Sequence, residues 1–86
     1  MENGQSEYLV RGSIERETEK AILLDLSFCL NDGEQRGAKV WFPKSQTQPD
    51  DDGLIVPAWL IAAKERDLSE RMRGNTVMIE AEVCNG

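Results

Sequence analysis

The chain has 86 residues, a formal net charge of −6 and no histidine. A chain of this length can bury one modest hydrophobic core and no large internal cavity, so residues 1–86 are expected to form a single domain. It contains no run approaching the roughly 20 apolar residues that span a bilayer. Residues 1–6 are polar and are expected to be flexible, and they do not resemble a secretory signal. The sequence therefore predicts a cytoplasmic protein that does not enter a membrane.

The first half of the chain predicts three strands. Residues 7–17 alternate apolar and polar side chains with the period of two that a half-buried strand requires, and residues 21–30 do so most clearly. Asn31-Asp32-Gly33 then favours a hairpin turn, because these residue types tolerate positive φ. A third strand over about 36–42 ends at Pro43, since proline cannot donate to a strand ladder.

The second half predicts a helix between extended segments. Residues 44–53 are expected to form a polar acidic loop, and residues 54–56 a brief extended piece. A helix over about 57–66 begins at Pro57, whose missing N–H is tolerated in the first turn, and a further turn over 69–73 stops at Gly74. The last strand is predicted over 76–83, with Val77, Ile79, Ala81 and Val83 facing the core.

The predicted order is therefore β-β-β-α-β, a β-rich α+β fold with one helix. Four strands and a helix at this length favour a strongly bent antiparallel sheet or a small barrel of the OB or SH3 kind. A flat four-stranded sheet with one packed helix is the alternative.

Four strands each place a large apolar residue on the face predicted to be outward, namely Leu9, Leu23, Trp41 and Met78. Residues 58–63 are apolar almost all round, which is typical of a helix buried on more than one side. We therefore expect the helix to cover this second apolar face. The alternative is a partner-binding surface around Trp41 or Trp59, because tryptophan is enriched at binding hot spots.

The residue types that commonly carry catalysis are missing. The chain has no histidine and no glycine-rich phosphate loop, and Asp50-Asp51-Asp52 lacks the spacing of a calcium loop. The sequence therefore predicts no enzymatic activity, no metal site and no cofactor. Cys29 and Cys84 are expected to be reduced thiols in strands. They could form a disulfide only if their strands are neighbours.

One candidate surface is acidic. Glu15 and Glu17 are predicted on the outer face of the first strand, and Glu80 and Glu82 on that of the last. If these strands pair, the four carboxylates form a row that could bind a channel lined by Arg and Lys in a partner. Like charges directly opposite each other destabilise a sheet, so the alternative is that the strands lie apart and the acids are simply solvated.

A second candidate surface combines Lys39, Trp41 and Lys44, with Arg36, Ser45 and Gln46 beside them. An aromatic side chain among cations is how OB-type domains hold single-stranded nucleic acid. The net charge of −6 disfavours this function, because phosphate binding depends on Lys and Arg.

Three segments carry a resemblance to a known group of proteins: Glu17-Thr18-Glu19-Lys20-Ala21-Ile22-Leu23-Leu24, Val40-Trp41-Phe42-Pro43-Lys44-Ser45-Gln46 and Val56-Pro57-Ala58-Trp59-Leu60. The chain resembles short, mostly uncharacterised proteins of bacteriophages and other mobile elements with the pattern E-T-x-K-A-x-L, W-[IF]-P-K-S-Q, V-P-x-W-[LF]. The match covers about half of the chain, and the resemblance implies a biological context without site residues or an activity.

Context and charge together predict a non-catalytic protein-binding module of phage or mobile-element origin. It is expected to inhibit a nucleic-acid-handling defence complex in the host cytoplasm, in the manner of an anti-CRISPR protein, through an acidic or Trp-anchored surface. The expected partner is a host protein or protein–nucleic-acid complex, and a homodimer is left open. The alternative function is a small β-barrel that binds single-stranded nucleic acid with Lys39, Trp41 and Lys44.

Overall fold

The computed structural model describes residues 6–84, so most of the N-terminal segment predicted to be flexible lies outside the described residues. The elements in chain order are β1 (Glu7–Glu17), β2 (Ala21–Leu30), β3 (Gln35–Pro43), a 3-10 turn (Lys44–Gln46), β4 (Gln48–Asp50), β5 (Gly53–Pro57), α1 (Ala58–Arg71), β6 (Val77–Ile79) and β7 (Ala81–Cys84). All strand pairs are antiparallel. The protein is thus a small β-rich α+β domain with one helix, as predicted.

The core lies on one face of β2 and is built by its strict alternation. Its even-numbered side chains are buried, and they are Ile22, Leu24, Leu26, Phe28 and Leu30. Val40 and Phe42 of β3 lie opposite Leu24 and Ile22 and are buried on the same face. Leu60, Ile61 and Leu68 of α1 close this core from the other side. Each fully buried side chain of this size contributes about 1.5–3 kcal/mol to folding.

Short turns with specific chemistry connect these elements. Between β1 and β2, the Thr18 hydroxyl accepts hydrogen bonds from the backbone N–H groups of Lys20 and Ala21, at 3.3 and 3.0 Å. Gly33 adopts a φ of +89° in the turn predicted after β2. Gly74 adopts a φ of +86°, and its N–H donates to the Ser69 carbonyl at 2.8 Å, so it ends the helix region where predicted.

The sheet bends because β1 changes partners along its length. The main path has the strand order β3-β2-β1-β5-β4, while β6 pairs with β2 and β7 pairs with β1. Residues 7–11 of β1 pair with β5, residues 7–10 also pair with β7, and residues 12–17 pair with β2. Only Glu80 separates β6 from β7, so one short segment connects residues 28–30 of β2 with residues 7–10 of β1. Over residues 6–84 the bent sheet does not close into a barrel.

Gly53 allows β5 to approach β1 closely. A Cβ atom at this position would lie 2.0 Å from the Val10 carbonyl oxygen and 2.9 Å from the Arg11 Cα. Both neighbours are backbone atoms that cannot rotate away, so glycine is required by the pairing of β1 with β5.

Several predicted boundaries are wrong. Residues 44–53 are not one loop, because they contain the 3-10 turn and the edge strand β4, which forms a hairpin with β5. The helix is a single element of 14 residues rather than two pieces. The last strand is divided into β6 and β7, and Val83 is 59% exposed instead of facing the core. The alternation of apolar and polar residues in the sequence continues through Glu80, but the segments before and after Glu80 pair with different strands.

The helix does not cover the second apolar face. Ala58, Trp59 and Ala62 are exposed, so α1 is buried on one side only. Met78 is 65% exposed and lies opposite Cys29 of β2. Cys29 is six residues from Leu23 along β2, which corresponds to about 20 Å at the rise of a strand.

The four apolar residues predicted outward also do not form one cluster. Leu23 and Trp41 are direct cross-strand partners, whereas Leu9 lies on β1 opposite Ile55. Only the Leu23–Trp41 pair of the predicted face is therefore assembled by strand pairing.

Candidate binding site

A pocket of about 330 Å³ lies beside the first turn of α1. It is lined by Glu7 of β1, Ser45, Gln46, Thr47 and Gln48 around the start of β4, Ile55 and Pro57 of β5, and Trp59 of α1. Trp59 is 50% exposed, because the adjacent Leu60 and Ile61 take the buried side of the helix. The pocket therefore places a half-exposed indole next to a polar wall.

Backbone and side-chain hydrogen bonds fix both walls of this pocket. The Thr47 hydroxyl donates to the Pro43 carbonyl at 2.9 Å, and the Lys44 N–H donates to the Lys20 carbonyl at 2.8 Å, which together hold the 3-10 turn. On the other side, Pro57 keeps an extended backbone at the N-cap of α1, and the Ala58 N–H donates to the Ser6 carbonyl at 2.9 Å. These hydrogen bonds fix the positions of the two walls relative to the sheet.

Uncharged hydrogen-bonding groups dominate the lining. Ser45, Gln46 and Gln48 offer hydroxyl and amide groups, and their side chains make no hydrogen bond to another residue within 6–84. Among residues 6–84, Glu7 is the single charged residue of the lining. The pocket can therefore donate and accept hydrogen bonds while Trp59 supplies an apolar surface, a combination suited to a neutral polar ligand such as a peptide.

The predicted acidic row is not assembled. β7 pairs with residues 7–10 of β1, whereas Glu15 and Glu17 belong to the half of β1 that pairs with β2. A β-bulge between Ile14 and Arg16 makes Glu15 the extra residue, so Glu17 lies opposite the buried Ile22 and does not share the face expected from simple alternation.

All four predicted carboxylates already have partners within the chain. Glu15 lies 3.6 Å from the Lys39 ammonium, and Glu17 lies 2.7 Å from the Lys44 ammonium. Glu82 accepts from Arg11 at 3.0 Å, and this hydrogen bond, followed by the charge of Glu82, raises the pKa of Arg11. Glu80 accepts hydrogen bonds from the Gln35 amide and from the Cys29 thiol. These groups are exposed, so their ion pairs are screened by water and salt and contribute little to the stability of the fold.

The same ion pairs change the predicted basic and aromatic surface. Lys39 and Lys44 are neutralised by Glu15 and Glu17, and Arg36 is paired with Glu34 at 3.0 Å. The Glu34 hydrogen bond and its charge raise the pKa of Arg36. Trp41 is 41% exposed, and the cations that line the pocket beside it are Lys39 of β3 and Lys64 and Arg71 of α1, without Lys44.

The two cysteines are free thiols on separate strands. Cys29 lies opposite Met78, and Cys84 lies opposite Glu7, so they are not paired across a ladder. Removal of the Cys29 thiol from water raises its pKa, and the neighbouring Glu80 carboxylate raises it further. A thiol with a raised pKa is a poor nucleophile at neutral pH.

Sequence reasoning identified Trp59 but missed its pocket. The polar lining at 45–48 falls in a stretch that was expected to be a loop. Polar residues are ordinary in a loop, so their polarity does not indicate which other residues they lie beside. The one sequence signal was the resemblance, because Ser45 and Gln46 close its second segment while Pro57 and Trp59 lie in its third. Those two segments meet at this pocket.

Within residues 6–84, no helix is long and apolar enough to cross a membrane. The same part of the chain holds no group of three or more Cys, Asp or Glu side chains positioned to bind a metal ion. Comparison of the chain with protein-family models, with curated proteins and with solved structures finds no match.

Proposed function

We propose that this protein is a non-catalytic protein-binding module that holds its partner in the Trp59 pocket. The observation that carries this proposal is a half-exposed tryptophan on the wall of a 330 Å³ pocket in which the side chains of Ser45, Gln46 and Gln48 make no hydrogen bond to another of residues 6–84. Tryptophan is enriched among the few interface residues that dominate binding energy, and free hydroxyl and amide groups can bind the main chain of a peptide.

The partner enters the pocket and does not add a strand to the nearby sheet edge. β4 is the edge strand beside the pocket, but it has only three residues and its centre is Pro49, which has no N–H to donate. Asp50 to Asp52 follow and carry three negative charges. Short edges with proline and charge are the features that prevent strand addition.

The resemblance supports a phage or mobile-element context for this pocket, because its second and third segments contribute residues to opposite walls. In that context, we propose that the partner is a host protein of a nucleic-acid-handling defence complex, bound in the host cytoplasm. The formal charge of −6 favours a partner with a basic surface. The Trp-anchored version of this function is favoured over the acidic-row version, since the four glutamates are dispersed and paired.

A peptide-display selection against the immobilised protein tests the proposal even though the host is unidentified. We expect enriched peptides to bind the wild-type protein and to lose at least about 30-fold in affinity for Trp59→Ala, the loss expected of a hot spot. Trp41→Ala is the matched control, because it removes a similarly exposed indole elsewhere. Selection that enriches no peptide, or peptides that bind Trp59→Ala as well as wild type, would refute the pocket as a protein-binding site.

The proposed partner class requires a second experiment. The wild-type protein and Trp59→Ala should be used in parallel to capture proteins from a bacterial lysate after nuclease treatment. We expect the wild type to retain a nucleic-acid-handling complex that Trp59→Ala does not retain. Specific capture of proteins unrelated to nucleic acid would contradict the partner class while leaving the pocket itself supported by the peptide selection.

A further inference from the structure

We propose that a second site, the groove between β3 and residues 64–71 of α1, binds a short single-stranded nucleic acid with Trp41 as its stacking platform. This inference goes beyond the protein-binding function above and does not depend on it. The groove has a volume of about 110 Å³. Its walls are formed by Lys39, Val40 and Trp41 of β3 and by Lys64, Asp67, Leu68 and Arg71 of α1.

The groove has the opposite charge to the protein as a whole. Lys39, Lys64 and Arg71 line it beside Asp67, and Lys39 is paired with Glu15, so its formal charge with Glu15 included is +1 (three minus two) in a chain of net charge −6. Buried Val40 and Leu68 form its floor, and the 41% exposed indole of Trp41 forms part of its wall. A cationic groove with an accessible aromatic ring is the arrangement by which proteins bind single strands without reading their sequence.

The helix supplies the cations at a useful spacing. Lys64 and Arg71 are seven residues apart and therefore lie on the same face of α1, about 10 Å apart along its axis. Trp41 lies on the facing strand. A base stacked on this indole would then have phosphates on either side within reach of the two cations.

These two cations are available to a ligand. Within residues 6–84, neither Lys64 nor Arg71 has a carboxylate oxygen within ion-pairing distance. The Lys64 ammonium lies 5.7 Å from the centroid of the Phe42 ring, a cation–π contact that leaves its N–H donors unused. Lys44, by contrast, is bound to Glu17 at 2.7 Å and does not line the groove. The spatial arrangement therefore replaces Lys44 of the sequence-based hypothesis with Lys64 and Arg71.

Trp41 favours a nucleic acid over an acidic peptide as the ligand. Both would be attracted by the cations, but only nucleotides bring both negative phosphates and planar bases that stack on an indole. Loss of one stacked base weakens binding by about 5- to 150-fold, whereas a carboxylate ligand would bind without using the ring.

Tryptophan fluorescence tests the site directly. The chain has two tryptophans, so Trp59→Phe leaves Trp41 as the sole reporter. We expect an unlabelled ten-nucleotide oligothymidine to quench Trp41 at low salt, with affinity falling as salt rises. Lys64→Ala and Arg71→Ala should each lower the slope of log affinity against log salt by about 0.7. Lys44→Ala is the matched control, and it should leave that slope unchanged.

The role of the ring is tested by anisotropy of a labelled oligothymidine. Trp41→Ala should weaken binding by about 5- to 150-fold, and Trp41→Phe should restore part of it by retaining a stacking surface. Trp41 is half-exposed on an edge strand, so circular dichroism should show that both variants remain folded.

Three results would overturn the inference. The first is no quenching at about 100 µM protein in low salt, a concentration at which non-specific nucleic-acid binding is detectable. The second is an effect of Lys44→Ala equal to that of Lys64→Ala. The third is equal binding of a polyglutamate peptide to wild type and Trp41→Ala with no binding of oligothymidine, which would assign the groove to acidic peptides. None of these results bears on the Trp59 pocket.

Discussion

Replacement of Gly53 by alanine should destabilise this protein much more than a one-methyl change on a surface usually does. The new Cβ would lie 2.0 Å from the Val10 carbonyl oxygen, whereas a carbon normally stays about 3.3 Å from a carbonyl oxygen. The shortfall is therefore about 1.3 Å (3.3 minus 2.0), and neither the alanine Cβ nor the backbone carbonyl can rotate away. β5 can accommodate the methyl group only by moving away from β1.

The energetic cost follows from that movement. Inserting a methyl group into a well-packed site costs about 1–3 kcal/mol, and each ladder hydrogen bond that is weakened adds up to about 1 kcal/mol. Gly53 pairs with Arg11, and the next pair is Leu54 with Val10, so the bonds at risk lie beside a buried part of the core. We expect a total loss of about 3 kcal/mol. This is a large fraction of the about 5–15 kcal/mol that stabilises a typical domain.

Urea denaturation followed by circular dichroism measures this loss. A destabilisation of this size lowers the midpoint by at least about 1 M urea. Gly37→Ala is the matched control, because its Cβ would lie at an ordinary 3.7 Å from the Leu26 carbonyl oxygen. Alanine there should be neutral or stabilise slightly through the unfolded chain. A Gly53→Ala protein as stable as wild type, or a Gly37→Ala protein equally weakened, would refute the close-approach argument.

Three further predictions concern the core, the helix and a thiol. Phe28→Ala should cost about 3–5 kcal/mol in urea denaturation, whereas the exposed Met78→Ala should stay within about 0.5 kcal/mol of wild type; similar losses would contradict the assigned core. Glu65 accepts the Ile79 N–H at 2.9 Å, so Glu65→Ala should reduce hydrogen-exchange protection of that amide while Glu65→Gln largely retains it. Because the pKa of Cys29 is raised, the rate of its alkylation should rise with a midpoint at higher pH than the midpoint for free cysteine. Glu80→Gln should lower the midpoint pH for Cys29, and an unchanged midpoint would remove Glu80 as a cause. The fold favours the protonated thiol, so its contribution to stability is present at neutral pH and is lost as pH rises through the folded pKa.

The elements that sequence predicts well are those whose pattern is local. β2 buries every second residue between Ile22 and Leu30, and its bounds match the prediction because the alternation itself forms the core face. The turn at Gly33 and the end of the helix region at Gly74 are also local, since each requires a positive φ. Alternation and turn chemistry act over a few residues and do not depend on which strand lies alongside.

The features that sequence reasoning missed depend on which strands pair. The β-bulge at Glu15 changes the face on which Glu17 lies, yet nothing in the local pattern marks the extra residue. The apparent last strand is divided at Glu80 because its two halves pair with β2 and β1. The predicted acidic row failed for this reason, since it assumed one continuous pairing of the first and last strands.

The two tryptophan sites can be separated through Gly53, because they depend on different parts of the sheet. The Trp59 pocket uses Ile55 and Pro57 of β5, and α1 begins directly after Pro57, so displacement of β5 should move one wall of the pocket. The Trp41 groove uses β3 and residues 64–71 of α1 and does not include Gly53. In the folded Gly53→Ala protein, we therefore expect the fluorescence of Trp59, measured in a Trp41→Phe background, to shift in wavelength, while that of Trp41 in a Trp59→Phe background stays unchanged. Equal shifts at both positions would show that the sheet transmits the strain throughout and that the two sites are not structurally independent.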